Sequence, residues 1–306
     1  MKKYNSIYFL VFYFSLIVFS HSVVITYAND ELNNAIYKTS TYILNTVGNN
    51  PSIGVVGGDW AVLGLAKSGH NVPNNFFKNY RSNVIRHLRQ NNGVLDERRH
   101  TEYSRIILAL SAAGFDATNI GGFNLTSPLL NYEKTTWQGI NGPIFALLAL
   151  DSTNIENNVL RQLYINNILS RQLQDGGFAL IGNNGQVDIT AMALQALSPY
   201  QNNMQVRVAT NRAINFISNA QNNYGSFYST ESTAQVLIAI TMLNLDINDS
   251  RFVKNDNNVL QALLSFKNSN GSFNHTHYSQ SSLMSTEQAL QGLVALKNSI
   301  NRGLTQ

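Results

Sequence analysis

Six times along this chain an apolar run of helical character converges on one small residue, flanked on both sides by large apolar ones in every copy but the fourth, where Gln195 precedes it. The runs are 59–69, 101–114, 141–152, 188–200, 231–243 and 287–297. Their small residues are Gly64, Ala109, Ala149, Ala196, Ala239 and Ala295, spaced 45, 40, 47, 43 and 56 residues apart. Self-similarity at such a period marks a stacked repeat in which no unit buries its apolar surface alone. Each run is too apolar for a surface helix. In 189–197 only Thr190 and Gln195 interrupt it, and a helix apolar nearly all round is a buried one. Between the runs lie more amphipathic stretches, for example 157–173 and 206–219, which should be outer helices with one wet face.

Glycine turns follow several of these outer helices: Asn92-Gly93-Val94, Asp175-Gly176-Gly177-Phe178, Tyr224-Gly225-Ser226-Phe227 and Asn270-Gly271-Ser272-Phe273, with Gly122-Phe123 a displaced relative. Glycine ends a helix by taking the left-handed conformation, and the aromatic after it can fold back as an apolar plug. The unit is therefore outer helix, Gly-aromatic turn, inner helix. Six inner helices apolar on every face favour closure into a ring over an open stack, which would wet one side of them. The expected fold is all-α, an α6/α6 toroid with negligible strand, forming a single domain over 29–306.

The segment Gln174-Asp175-Gly176-Gly177-Phe178 followed by Asp188-Ile189-Thr190-Ala191-Met192-Ala193-Leu194 resembles the repeat of squalene and terpene cyclases and of protein prenyltransferase β subunits. The likeness extends to exported bacterial members of that superfamily. Those are similar to the helical domain of the intrinsic factor and transcobalamin group. It spans roughly residues 30–300 and speaks more to fold than to function.

Eight residues before the small positions stand Val56, Thr101, Asn141, Asp188, Glu231 and Glu287; in the first copy the acid is Asp59. Inner helices of a toroid run parallel, so these groups, with Glu102 beside Thr101, should ring one mouth of the barrel. Asp, Asn and Thr there should act as N-caps, and Glu231 and Glu287 should favour the positive end of the helix dipole. One turn further in come Trp60, Arg105, Phe145, Met192, Gln235 and Gln291, a mixture suited to a partly apolar molecule. The candidate ligand-binding set is Asp59, Trp60, Thr101, Glu102, Asn141, Phe145, Asp188, Glu231, Gln235, Glu287 and Gln291.

Catalytic signatures of the resembled family are missing. The chain has no cysteine, so the Asp-Cys-His zinc set that the resemblance implies for prenyltransferases cannot form, nor can a disulfide or a thiolate nucleophile. The Asp-x-Asp-Asp acid motif of class II cyclases does not occur either. Asp96-Glu97-Arg98-Arg99-His100 is the densest charged cluster and reads as a solvated loop. His275 and His277 could reach one metal, but the spacing supplies no third ligand. No metal or cofactor is expected.

Lys2 and Lys3 precede an apolar stretch, Ile7–Phe19, and Thr26-Tyr27-Ala28 follows. This reads as a signal peptide over 1–28, cleaved after Ala28; retained, it would tether the protein to a membrane. Only 12% of residues are charged, the formal net charge is +4 and no basic run occurs, so nucleic acid is not an expected partner. The sequence therefore reads as a secreted or cell-surface, non-catalytic module. Its partner is a small, partly apolar ligand, a corrinoid being one candidate by resemblance, or a cell-surface molecule. The alternative is a terpenoid cyclase or prenyltransferase-like enzyme lacking the usual motifs.

Overall fold

The computed structural model describes residues 30–304. The proposed signal peptide lies outside these residues. No helix among the described residues is long and apolar enough to cross a membrane.

Twelve helices alternate between two concentric layers. The outer layer comprises α1 (30–47), α3 (Asn74–Gln90), α5 (Tyr132–Thr136), α7 (Asn158–Leu169), α9 (Met204–Ala220) and α11 (Val259–Leu264). The inner layer comprises α2 (Asp59–Lys67), α4 (His100–Ala112), α6 (Asn141–Asp151), α8 (Val187–Leu197), α10 (Thr230–Met242) and α12 (Leu283–Leu304). Each inner helix packs on the next, and α12 packs on α2, so the inner ring is closed. Among the described residues, strand content is one hairpin of two-residue strands, β1 (Phe273–Asn274) and β2 (Ser281–Ser282). This is the expected toroid.

The glycine turns show how the outer layer closes. Gly176, Gly225 and Gly271 all have φ between +79° and +91°. A Cβ on them would lie 2.6 Å from Arg212 O, 2.8 Å from Asn257 O and 2.3 Å from Lys38 O, respectively. Each turn is thus pressed beneath the backbone of the following outer segment, and the last one meets α1. Only glycine satisfies both the left-handed backbone and the contact. The aromatics behind them, Phe178, Phe227 and Phe273, are buried as plugs. Their N–H groups donate to Thr190 Oγ1 (2.8 Å), Thr233 Oγ1 (3.1 Å) and Thr286 Oγ1 (2.9 Å) in the inner helices that follow.

Those three threonines correct the register of the sixth copy. Thr190 and Thr233 lie six residues before Ala196 and Ala239; six residues after Thr286 is Gly292, not Ala295. A Cβ on Gly292 would sit 3.3 Å from Ala234 O of α10, so this residue is the close-packing point. The β1–β2 hairpin lengthens the loop before α12 and hides the true spacing.

Helix starts also differ from expectation. The N-caps of α4, α6 and α8 are Arg99, Ile140 and Gln186, none with a side-chain capping bond. Thr101, Asn141 and Asp188 therefore lie inside the first turn and are not N-caps. Glu231 is likewise the second residue of α10, whose cap is Ser229. Glu287 is the fifth residue of α12 and lies beyond the first turn. The inner helices start earlier because partners outside the helix take their first amides: Thr101 N–H donates to Gln138 Oε1 and Thr230 N–H to His275 O. Side-chain capping is concentrated in the outer layer, where Asn131, Asn157, Asn203 and Asn258 cap α5, α7, α9 and α11, and in the inner layer Ser229 caps α10.

Candidate functional site: an axial shaft and a charged collar

With the register corrected, the inner helices present a regular stripe to the barrel axis. Four residues before each small residue stand Trp60, Arg105, Phe145, Met192, Gln235 and Gln288; one before stand Leu63, Leu108, Leu148, Gln195, Ile238 and Gln291. Three after come Lys67, Ala112, Ser152, Pro199, Met242 and Ala295. All of these except Arg105 and Ala112 line one cavity of about 480 Å³. A spacing of i, i+3, i+7 keeps side chains on one helical face, so the axial cavity is a direct product of the repeat. Its floor lies at Trp60 and Phe145, whose rings are 6.1 Å apart. Its rim carries Lys67, Asp151, Asn298 and Arg302, at the C-terminal ends of the inner helices. On the N-terminal side, beyond Trp60 and Phe145, lies a smaller pocket of about 390 Å³ bordered by Thr101, Arg105, Gln138, Asn141 and Leu180.

The shaft has two unlike sides. Trp60, Leu63, Leu108, Phe145 and Leu148, from α2, α4 and α6, are apolar. From α8, α10 and α12 comes a chain of amides. Gln195 Nε2 donates to Gln235 Oε1 at 2.8 Å and to Gln235 O at 3.0 Å, and Gln235 Nε2 donates to Gln288 Oε1. Gln291 also faces the shaft, and its buried Nε2 has no hydrogen-bond partner among the described residues. Amides linked in series polarise one another and offer neutral donors and acceptors to a ligand without the desolvation cost of a charge.

Four of the sequence-derived candidates, Trp60, Phe145, Gln235 and Gln291, therefore meet in the shaft, while Thr101 and Asn141 border the opposite pocket. Asp59, Glu102 and Glu287 belong to a collar that holds the loop before α2. Asp59 is 1% exposed. It accepts from Tyr80 Oη at 2.7 Å, Gly54 N at 3.1 Å and Arg105 Nε at 2.6 Å, while Arg105 also pairs with Glu102. This explains why Arg105 leaves the axial stripe. Glu287 accepts from Gly57 N at 2.7 Å, and its second oxygen is buried without a partner. Burial, with Asp59 adding repulsion against the Gly57 bond, pushes its carboxyl up to about 7. Glu287 borders neither cavity.

Glu231 accepts from Ser285 Oγ at 2.5 Å and pairs with His275 Nδ1 at 2.7 Å. His277 stacks on Phe266 instead, with ring centroids 4.2 Å apart, so the two imidazoles do not converge. Asp188 is half-buried in the first turn of α8 and borders neither cavity. In the 96–100 cluster, Asp96 Oδ1 accepts from Arg98 N and Arg99 N, Arg98 covers Trp137, and His100 is buried against Thr135. Residues 96–99 are loop, and His100 opens α4 as a buried residue. Among the described residues no group of three His, Asp or Glu could hold a metal.

Gln195, Gln288, Leu63, Ile238 and Lys67 were not among the candidates. Leu63, Gln195 and Ile238 stand three residues beyond the Trp60–Phe145 row and Lys67 seven beyond it, whereas Gln288 belongs to that row itself once the sixth register is corrected. No curated relative matches the chain. The family profile described as prenyltransferase alpha-alpha toroid domain matches residues 130–254 and 236–305. Together these stretches exceed half the chain and overlap the closed ring of helix pairs, and the chain belongs to that family.

Proposed function

We propose that this toroid is a non-catalytic binding module that holds a small, partly apolar molecule in its axial shaft, and that it acts outside the cytoplasm. The observation that carries this reading is the shaft itself. Its volume falls within the roughly 300–1,000 Å³ of small-molecule sites, and such sites combine apolar walls with a few convergent polar groups. The amide chain on one wall matches that pattern. Against catalysis stands the placement of the acids: Glu287 and Asp59 serve the loop before α2, and neither lines the shaft or the pocket opposite it.

The chain has two tryptophans. Trp60 sits in the shaft and Trp137 is 62% exposed. The Trp137→Phe variant thus carries a single reporter at the floor of the shaft. Titration with 1-anilinonaphthalene-8-sulfonate should give saturable energy transfer from Trp60, and filling the shaft with Leu148→Phe and Met192→Phe should abolish it. A non-saturable response, or one indifferent to the filled shaft, would overturn the proposal.

A further inference from the structure

We infer that the ligand of the shaft is an uncharged molecule with a carbonyl oxygen at one end of an apolar body, and that it lies carbonyl-end inward, the oxygen held near the floor by the amides of Gln288 and Gln291. This rests on the binding reading above and names the ligand class. One atom fixes the sense of the amide series. The backbone oxygen of Gln235 can only accept, so the Gln195 atom 3.0 Å from it is the amide nitrogen. That nitrogen also donates to Gln235 Oε1 at 2.8 Å, which leaves Gln235 Nε2 to donate to Gln288 Oε1. The side-chain oxygens of Gln235 and Gln288 thus already accept, and Gln288 Nε2 is the donor end of the series. One turn along the same face of α12, the buried Nε2 of Gln291 has no hydrogen-bond partner among the described residues.

Hydrogen bonds in series strengthen the last donor. A ligand that fills the shaft also shields the Gln291 nitrogen from water, and a hydrocarbon there would leave it buried and unsatisfied. A carbonyl oxygen has two lone pairs and brings no donor of its own, so it can serve both nitrogens. A hydroxyl adds a donor, and the amide oxygens beside it are already engaged. A carboxylate would accept too, but the two lowest rows of the shaft carry no charged side chain, because Arg105 is turned to the collar and bound to Asp59 and Glu102. An ion at that depth would exchange its hydration for neutral amides alone. Orientation follows from placement. Gln288 stands in the floor row with Trp60 and Phe145, Gln291 in the row above, and beyond them α12 offers Val294 and Ala295. The lining on α12 continues to Arg302, about 21 Å from Gln288 at roughly 1.5 Å rise per residue, which leaves room for the apolar body above the carbonyl.

The test uses Trp60 emission in the Trp137→Phe protein, titrated with 2-nonanone, octane and nonanoate. Gln291→Met, similar in size but without the donor, should weaken 2-nonanone roughly three- to tenfold, the worth of one neutral hydrogen bond. Octane should bind the variant at least as well as the parent, which also shows that the variant is folded. Nonanoate should bind the parent more weakly than 2-nonanone. In 9-bromo-2-nonanone the bromine marks the far end of the body, and it should quench Trp60 no more than the unbrominated ketone does. A ketone affinity indifferent to Gln291→Met, or an equal loss for ketone and octane, overturns the role of Gln291. Nonanoate binding as tightly as the ketone overturns the uncharged class, and strong quenching by the bromine overturns the orientation. If the anilinonaphthalene dye saturates the shaft and 2-nonanone does not, this inference falls alone. If neither binds, the binding reading falls with it.

Discussion

Glu287 makes the stability of this protein depend on pH in a direction opposite to that of most carboxylates. Its side chain is buried, only one oxygen has a donor, and its carboxyl is raised from 4.5 to about 7. Below about pH 4.5 the group is protonated in both folded and unfolded chains and costs nothing. Between that value and 7 the unfolded chain releases its proton while the folded one keeps it, so stability falls as pH rises. Above 7 the full cost applies. At 1.36 kcal/mol per pKa unit the loss is roughly 3 kcal/mol. Glu287→Gln keeps an acceptor for Gly57 N–H and removes the titration. The assay is urea unfolding of both proteins at intervals from pH 4 to 8. Groups common to both cancel in the difference. The wild type should lose roughly 3 kcal/mol relative to Glu287→Gln across that range, most of it between pH 5 and 7. A difference that stays flat with pH would show that Glu287 is solvated or paired, and the collar as described would be wrong.

Asp59→Ala should cost about 1–3 kcal/mol in the same unfolding assay, because it leaves the buried Tyr80 hydroxyl and the Gly54 N–H without their acceptor while Arg105 keeps Glu102. Asp188→Ala should shift the thermal midpoint little, since Asp188 is not the cap of α8. Ser229→Ala, which removes the cap of α10, should cost about 0.5–2 kcal/mol. Gly271→Ala should fail to give a cooperatively folded protein, as judged by near-ultraviolet circular dichroism, because its Cβ would meet the α1 backbone at 2.3 Å.

The fold was legible because repetition averages out local noise. A single apolar run such as 141–152 is compatible with several folds, whereas six of them with glycine turns between leave few choices. The site was legible to the extent that it follows the helical period. Trp60, Phe145 and Gln235 were found because they stand at fixed offsets from correctly chosen small residues. Gln288 was passed over because the β1–β2 hairpin displaced the sixth register by three residues. Its place was given to Gln291, which reaches the same shaft only because it lies one turn further along the same stripe. Capping was misread for a different reason. Capping preference is local, but the first amides of α4 and α10 are taken by Gln138 and His275, tens of residues away in sequence. Periodicity reports which helical face turns toward the axis. It carries no information on which end of the barrel stays open, because that depends on how loops fill each mouth. Here the loop before α2 is drawn in by Asp59 and Glu287, and the Trp60–Phe145 pair separates the pocket at that end from the shaft. The end without such a collar is the one that keeps the larger cavity. Of the acids that read as a binding ring, Asp59 and Glu287 are thus the fastening of one mouth.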